Sequence, residues 1–161
     1  MNLEPYYFSI AISLHALAAM VWVGGMFFAY MALRPVAAKI LEPAVRLALW
    51  SRTLTRFFVW VWLAVIVIPV TGYWMIFSAF NGFAGVAWYV HVMQALGIVM
   101  ILIFLHVFFA PFTRLRRAVN EENYQEGGKS LAQIRKLIGL NLLIGLITVI
   151  TAIGLEHVPL N

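Results

Sequence analysis

The sequence predicts an all-α integral membrane protein, an antiparallel four-helix bundle with a short amphipathic interfacial helix between spans one and two. Three observations carry this expectation. Of 161 residues, 64% are hydrophobic and 11% charged, against about 45–50% and about 25% in a soluble domain, so a water-soluble fold is excluded. No Asp, Glu, Lys or Arg occurs from Pro5 to Leu33, from Phe57 to Thr113 or from Leu137 to Leu155, and a span needs about 20 apolar residues. All eleven Lys and Arg lie in two blocks, Arg34 to Arg56 and Arg114 to Lys136. Such asymmetry places both blocks on the cytoplasmic side. The net charge of +5 is then explained by topology and by attraction to anionic lipid, and no nucleic-acid partner is implied.

The elements follow in order within one domain, residues 1–161. The first apolar run is too long for a signal-peptide core and has no basic residue before it, so it is expected to be a retained span over 6–33. Over Pro35–Arg52, apolar Val36, Ala37, Ile40, Leu41, Ala44, Leu47 and Ala48 recur at helical spacing among Lys39, Arg46 and Arg52. That pattern predicts the interfacial helix. The 57-residue uncharged run is twice a span length. It predicts a helical hairpin broken at Asn81-Gly82-Phe83-Ala84-Gly85, where turn formers cluster. Span two covers 57–78 with a kink at Pro69, and span three covers 87–113 with Trp88 and Tyr89 at the outer interface. A polar, mobile loop over Arg114–Lys129 precedes span four at 131–155. No convincing internal repeat is visible. The expected location is a bacterial-type inner membrane, with both termini periplasmic.

Cysteine is absent, which excludes disulfides, Fe–S clusters, thiolate metal sites and covalent haem attachment. Metal or haem chemistry would have to use His, Met, Tyr or carboxylates, and the four histidines, His15, His91, His106 and His157, stand out. Three lie inside spans, where ionisable residues are costly and are functional candidates by default. His91 and His106 are fifteen residues apart, so they differ by about 60° in direction and about 22 Å in depth and could face one bundle interior. Aligning Arg34 with Arg114 puts His15 about 6 Å deeper than His91, close enough for a His15–His91 pair after tilt. The same alignment puts His106 level with Met26, a second candidate pair. Small residues flank these positions: Ala11, Ala18, Ala19 and Gly24-Gly25 near His15, Ala95 after His91, and Ala110 after His106. They leave room for a flat macrocycle or, equally, allow close helix packing. Arg34, Arg56 and Arg114 could receive haem propionates on the inner side, whereas the outer side has no Lys or Arg. His157 lies just past span four beside Glu156, and a His91–Glu156–His157 cluster could take copper or zinc at the outer mouth. Gln94 and Asn141 are expected to make interhelical hydrogen bonds. Nothing in the sequence supports hydrolytic chemistry.

The stretch His15…Trp22-Val23-Gly24-Gly25-Met26-Phe27-Phe28…Arg34 resembles the first helix of the copper-resistance D (CopD) superfamily and of the related HemJ-type membrane protoporphyrinogen oxidases. Trp88-Tyr89-Val90-His91 with Leu105-His106 is similar to their later His-bearing helix, and Arg117…Asn120-Glu121 is similar to a motif of the oxidases. The oxidases carry a Lys where this chain has Met93-Gln94, and a Tyr where it has Leu105. The resemblance implies a four-helix membrane protein holding one or two haem b groups, acting in electron transfer or as an oxidoreductase. His15, His91 and His106, with Met26, would be its axial-ligand candidates, and a quinone or protein its redox partner. The alternative is a CopD-like copper-handling protein using His91, Glu156, His157 and Met93. A structural subunit without a cofactor is the third reading. Membrane lipid, and a second copy of the chain, are the remaining expected partners.

Overall fold

The computed structural model describes residues 4–79 and 82–154, and among them there is no strand. Four helical rods are long and apolar enough to cross a membrane: Tyr6–Ile40, Pro43–Ala79, Trp88–Asn120 and Tyr124–Gly154. The protein is a multi-pass membrane protein.

The first rod is α1 (Glu4–Phe27), a π-helical segment (Phe28–Leu33) and α2 (Arg34–Ile40). The second is α3 (Pro43–Ala79). A short 3-10 turn (Phe83–Gly85) leads to α4 (Trp88–Val107), a second π segment (Phe108–Phe112) and α5 (Thr113–Asn120), and α6 (Tyr124–Gly154) completes the chain. The order of elements therefore repeats: helix, π segment, short basic helix, tight turn, long helix. The sequence shows no such repeat because the residues differ while the architecture recurs. The second π segment contains Pro111, whose ring would clash with the carbonyl four residues back in a regular α-helix. The wider turn relieves that clash, and the Thr113 hydroxyl donates to the Phe108 carbonyl at 3.1 Å.

The separate interfacial helix expected over Pro35–Arg52 is not what forms. Leu41 is extended (φ −110°, ψ 133°), and Pro43 opens the next helix. A proline disfavours the helical conformation in the residue before it, so the chain breaks at Leu41 and Glu42. Lys39 ends up on the tip of the first rod, and Arg46, Arg52 and Arg56 on the start of the second. The mobile loop expected over Arg114–Lys129 is also mostly helical. It contains only a tight turn at Glu121–Asn123, with Glu122 at φ 53°. The Asn123 Oδ1 accepts from the Glu126 amide at 3.1 Å, capping α6, and Gly127 is buried against Leu47. The hairpin turn falls where expected: Gly82 takes φ 95°, which glycine adopts without strain, and its amide donates to the Ile76 carbonyl at 3.0 Å. Asn81 lies outside the described residues. Pro69 sits inside an unbroken α3.

Packing is unequal. α1 lies along α3 and α4 along α6, and these two antiparallel pairs face each other. An aromatic cluster fills the middle: Phe58 meets Phe104 at 5.4 Å and Phe112 at 4.8 Å, Trp62 meets Phe104 at 5.3 Å, and Trp22 meets Phe104 at 6.2 Å. The rings cross edge to face, the favoured aromatic geometry.

Candidate functional site

His15 is held on the interior face of α1. Trp22 and Met26, seven and eleven residues later, are both buried, and both project within about 20° of His15. Its Nδ1 lies 2.9 Å from the Thr71 hydroxyl on α3. Thr71 is buried and directs its hydroxyl to the Val67 carbonyl at 2.6 Å. With that proton committed, the threonine oxygen accepts from His15, so Nδ1 carries the ring proton and Nε2 keeps a lone pair. Gly72 makes room for the ring: a Cβ there would lie 3.3 Å from His15 Cε1.

His91 and His106 do not face the bundle interior as expected. The buried stripe of α4 is Met100, Phe104 and Val107. His91 projects about 180° from Met100, and His106 about 160° from Phe104. Both are exposed on the surface of the described bundle. His106 stands between Leu102 (59% exposed) and Phe109 (66% exposed), an outward face at membrane depth. His91 lies in the first turn of α4 and stacks on Phe83 of the hairpin turn, with centroids 6.3 Å apart and planes 28° apart. Phe83 in turn contacts Tyr73 and Phe77 of α3. The Gln94 Nε2 donates to the Tyr73 hydroxyl at 2.9 Å, tying α4 to α3 as expected of Gln94.

The structure does not bring together the pairs the sequence suggested. α1 and α4 have no extended contact and meet through Trp22 and Phe104; His15 engages Thr71 and His91 engages Phe83. Met26 is 2% exposed, and the Asn141 Nδ2 donates to its sulfur at 3.7 Å. It is a core residue joining α1 to α6. The cavity beside Met26, Trp22, Phe104 and Asn141 measures about 10 Å³, room for about one water, whereas ligand pockets run from roughly 300 Å³ upward. Gly25 lies directly under the Phe57 ring. The small residues of α1 thus serve close packing there. The residues present do not fit a haem inside this bundle.

Among the expected propionate partners, Arg34 covers the Tyr30 ring at 4.7 Å, and the Arg114 Nη2 donates to the Gln133 Oε1 at 2.7 Å. Glu156 and His157 lie outside the described residues, and among those described no group of three His, Cys, Asp or Glu is gathered for a metal. Sequence reasoning missed Thr71. The signal was a hydroxyl in an otherwise apolar span, next to a glycine.

A family model described as copper resistance protein D matches residues 51–155. No curated protein and no solved structure matches the chain.

Proposed function

The chain belongs to the copper resistance protein D (CopD) family, and on that premise we propose that it handles copper as cargo within the outer half of the membrane. The carrying observation is the His15–Thr71 hydrogen bond, which leaves a lone pair on Nε2 inside a span without any charged side chain. Imidazole suits copper, and a hydrogen bond on the far nitrogen is the usual way a ligating histidine is oriented. Among the described residues, His91, exposed at the opposite end of the bundle from the basic blocks, is the first imidazole an incoming ion would meet. His15 lies deeper and would receive it.

Two further features support capture in the outer half rather than an open channel. The arginines gather at the other end, where they repel a cation. The aromatic cluster around Phe58, Phe104 and Trp62 closes the interior on the way there. We place the chain in a bacterial-type inner membrane with both termini periplasmic; the confinement of all eleven basic residues to the two blocks supports the orientation.

The test is copper content after loading the purified protein, with X-ray absorption to identify imidazole ligation. His15→Ala and His91→Ala are expected each to lower bound copper. Unchanged copper content and spectrum in both variants would remove the assignment.

A further inference from the structure

The basic end of the bundle holds a crevice that copper handling leaves unused. Arg34, at the end of the first π segment, places its guanidinium over the Tyr30 ring. Tyr30 is itself seated against α6: a Cβ on Gly139 would lie 2.9 Å from its Cε2. Arg135 comes from α6 and shares with Arg34 and Tyr30 a shallow surface crevice of about 10 Å³ over Ala29, Trp50 and Ile134, so an anion would rest on its cationic rim and not inside it. Arg46, near the start of α3, bears on Arg135 electrostatically, as Arg34 does. Its Nη1 reaches the Ala38 carbonyl at 3.4 Å. All three arginines are half-buried.

Three elements thus converge three like charges. Among the described residues the one ion pair is Arg117–Glu121, at 2.8 Å, so none of the three arginines has a carboxylate partner there. Half-buried like charges without a counter-ion repel one another and lose hydration. An anion between them relieves both costs. The crevice also says what kind of anion fits. Its rim is cationic and planar, suited to phosphate oxygens, and its floor is apolar, as suits a head group at the membrane surface.

We propose that Arg34 and Arg135 on the rim of this crevice, with the charge of Arg46 nearby, form a binding site for the phosphate of an anionic phospholipid. Basic pockets between membrane helices are suited to such head groups. The site is independent of the copper reading.

The experiment reconstitutes the full chain in nanodiscs of phosphatidylcholine with a minor share of phosphatidylglycerol, re-extracts it in mild detergent, and counts retained phosphatidylglycerol by native mass spectrometry. The wild-type chain is expected to keep about one phosphatidylglycerol, and each arginine removed to weaken retention about fivefold. Arg34→Gln with Arg135→Gln should therefore lose the lipid. The charge-preserving pair Arg34→Lys with Arg135→Lys should keep most of it, and Lys136→Gln, an exposed neighbour, should behave as wild type. Equal retention in the wild type and the double Gln variant would overturn the proposal, as would loss in the double Lys variant as complete as in the double Gln variant. A second arm adds inorganic phosphate to the lipid-loaded protein. Phosphatidylglycerol that stays bound supports a lipid site; full displacement would make this a free-anion site and overturn the lipid assignment.

Discussion

His15 donates from Nδ1 to the Thr71 hydroxyl across 2.9 Å, and this bond couples the first rod to the second at membrane depth. Thr71→Val keeps the shape and removes the acceptor. It should leave a ring N–H unpaired and destabilise the protein by about 1–3 kcal/mol. The loss of orientation should also weaken copper binding about 10–100-fold. Thr71→Ser should restore both. Thermal unfolding in detergent and copper titration are the measurements, and a Val variant indistinguishable from wild type in both would remove Thr71 from the account.

Gly24 and Gly25 are adjacent in sequence and opposite in surroundings. A Cβ on Gly24 meets nothing within 4 Å, whereas one on Gly25 meets the Phe57 ring. Gly25→Ala should cost about 1–3 kcal/mol through overpacking, while Gly24→Ala should fall within about 0.5 kcal/mol of wild type. Thermal denaturation of the two variants reads this directly. Equal effects would mean that α1 does not pack on α3 in this register.

His106 projects away from the core among exposed apolar neighbours. His106→Leu should change stability by less than about 0.5 kcal/mol and leave copper content unaltered. A large loss of bound copper would show that this outward face meets a ligand or a second chain.

The two basic blocks are expected on the cytoplasmic side. A single cysteine placed by Arg46→Cys should react with an impermeant thiol reagent only after the cells are permeabilised. Labelling of intact cells would invert the topology.

The four spans were legible because charge is excluded so sharply from three runs of the chain. Helix boundaries at the basic end were less so. The apolar spacing of Pro35–Arg52 is helical, but Pro43 divides it between two rods, and the amphipathic pattern carries no mark of that division. The facing of the histidines failed for a related reason. In α4, leucines, isoleucines and valines run all round the helix, so no polar stripe tells which side is buried. His91 and His106 share a general direction, as their spacing requires, but it is outward. Met26 and Asn141 were each singled out from sequence; that they meet each other depends on α1 contacting α6, which only the fold supplies.

The proposal that copper is carried on imidazoles can be set directly against the haem alternative. The most direct measurement is metal analysis of the purified, copper-loaded chain together with its visible absorption spectrum. The account predicts bound copper, reduced in His15→Ala, and no Soret band. A Soret band with stoichiometric iron, or a chain that takes up no copper, would contradict it.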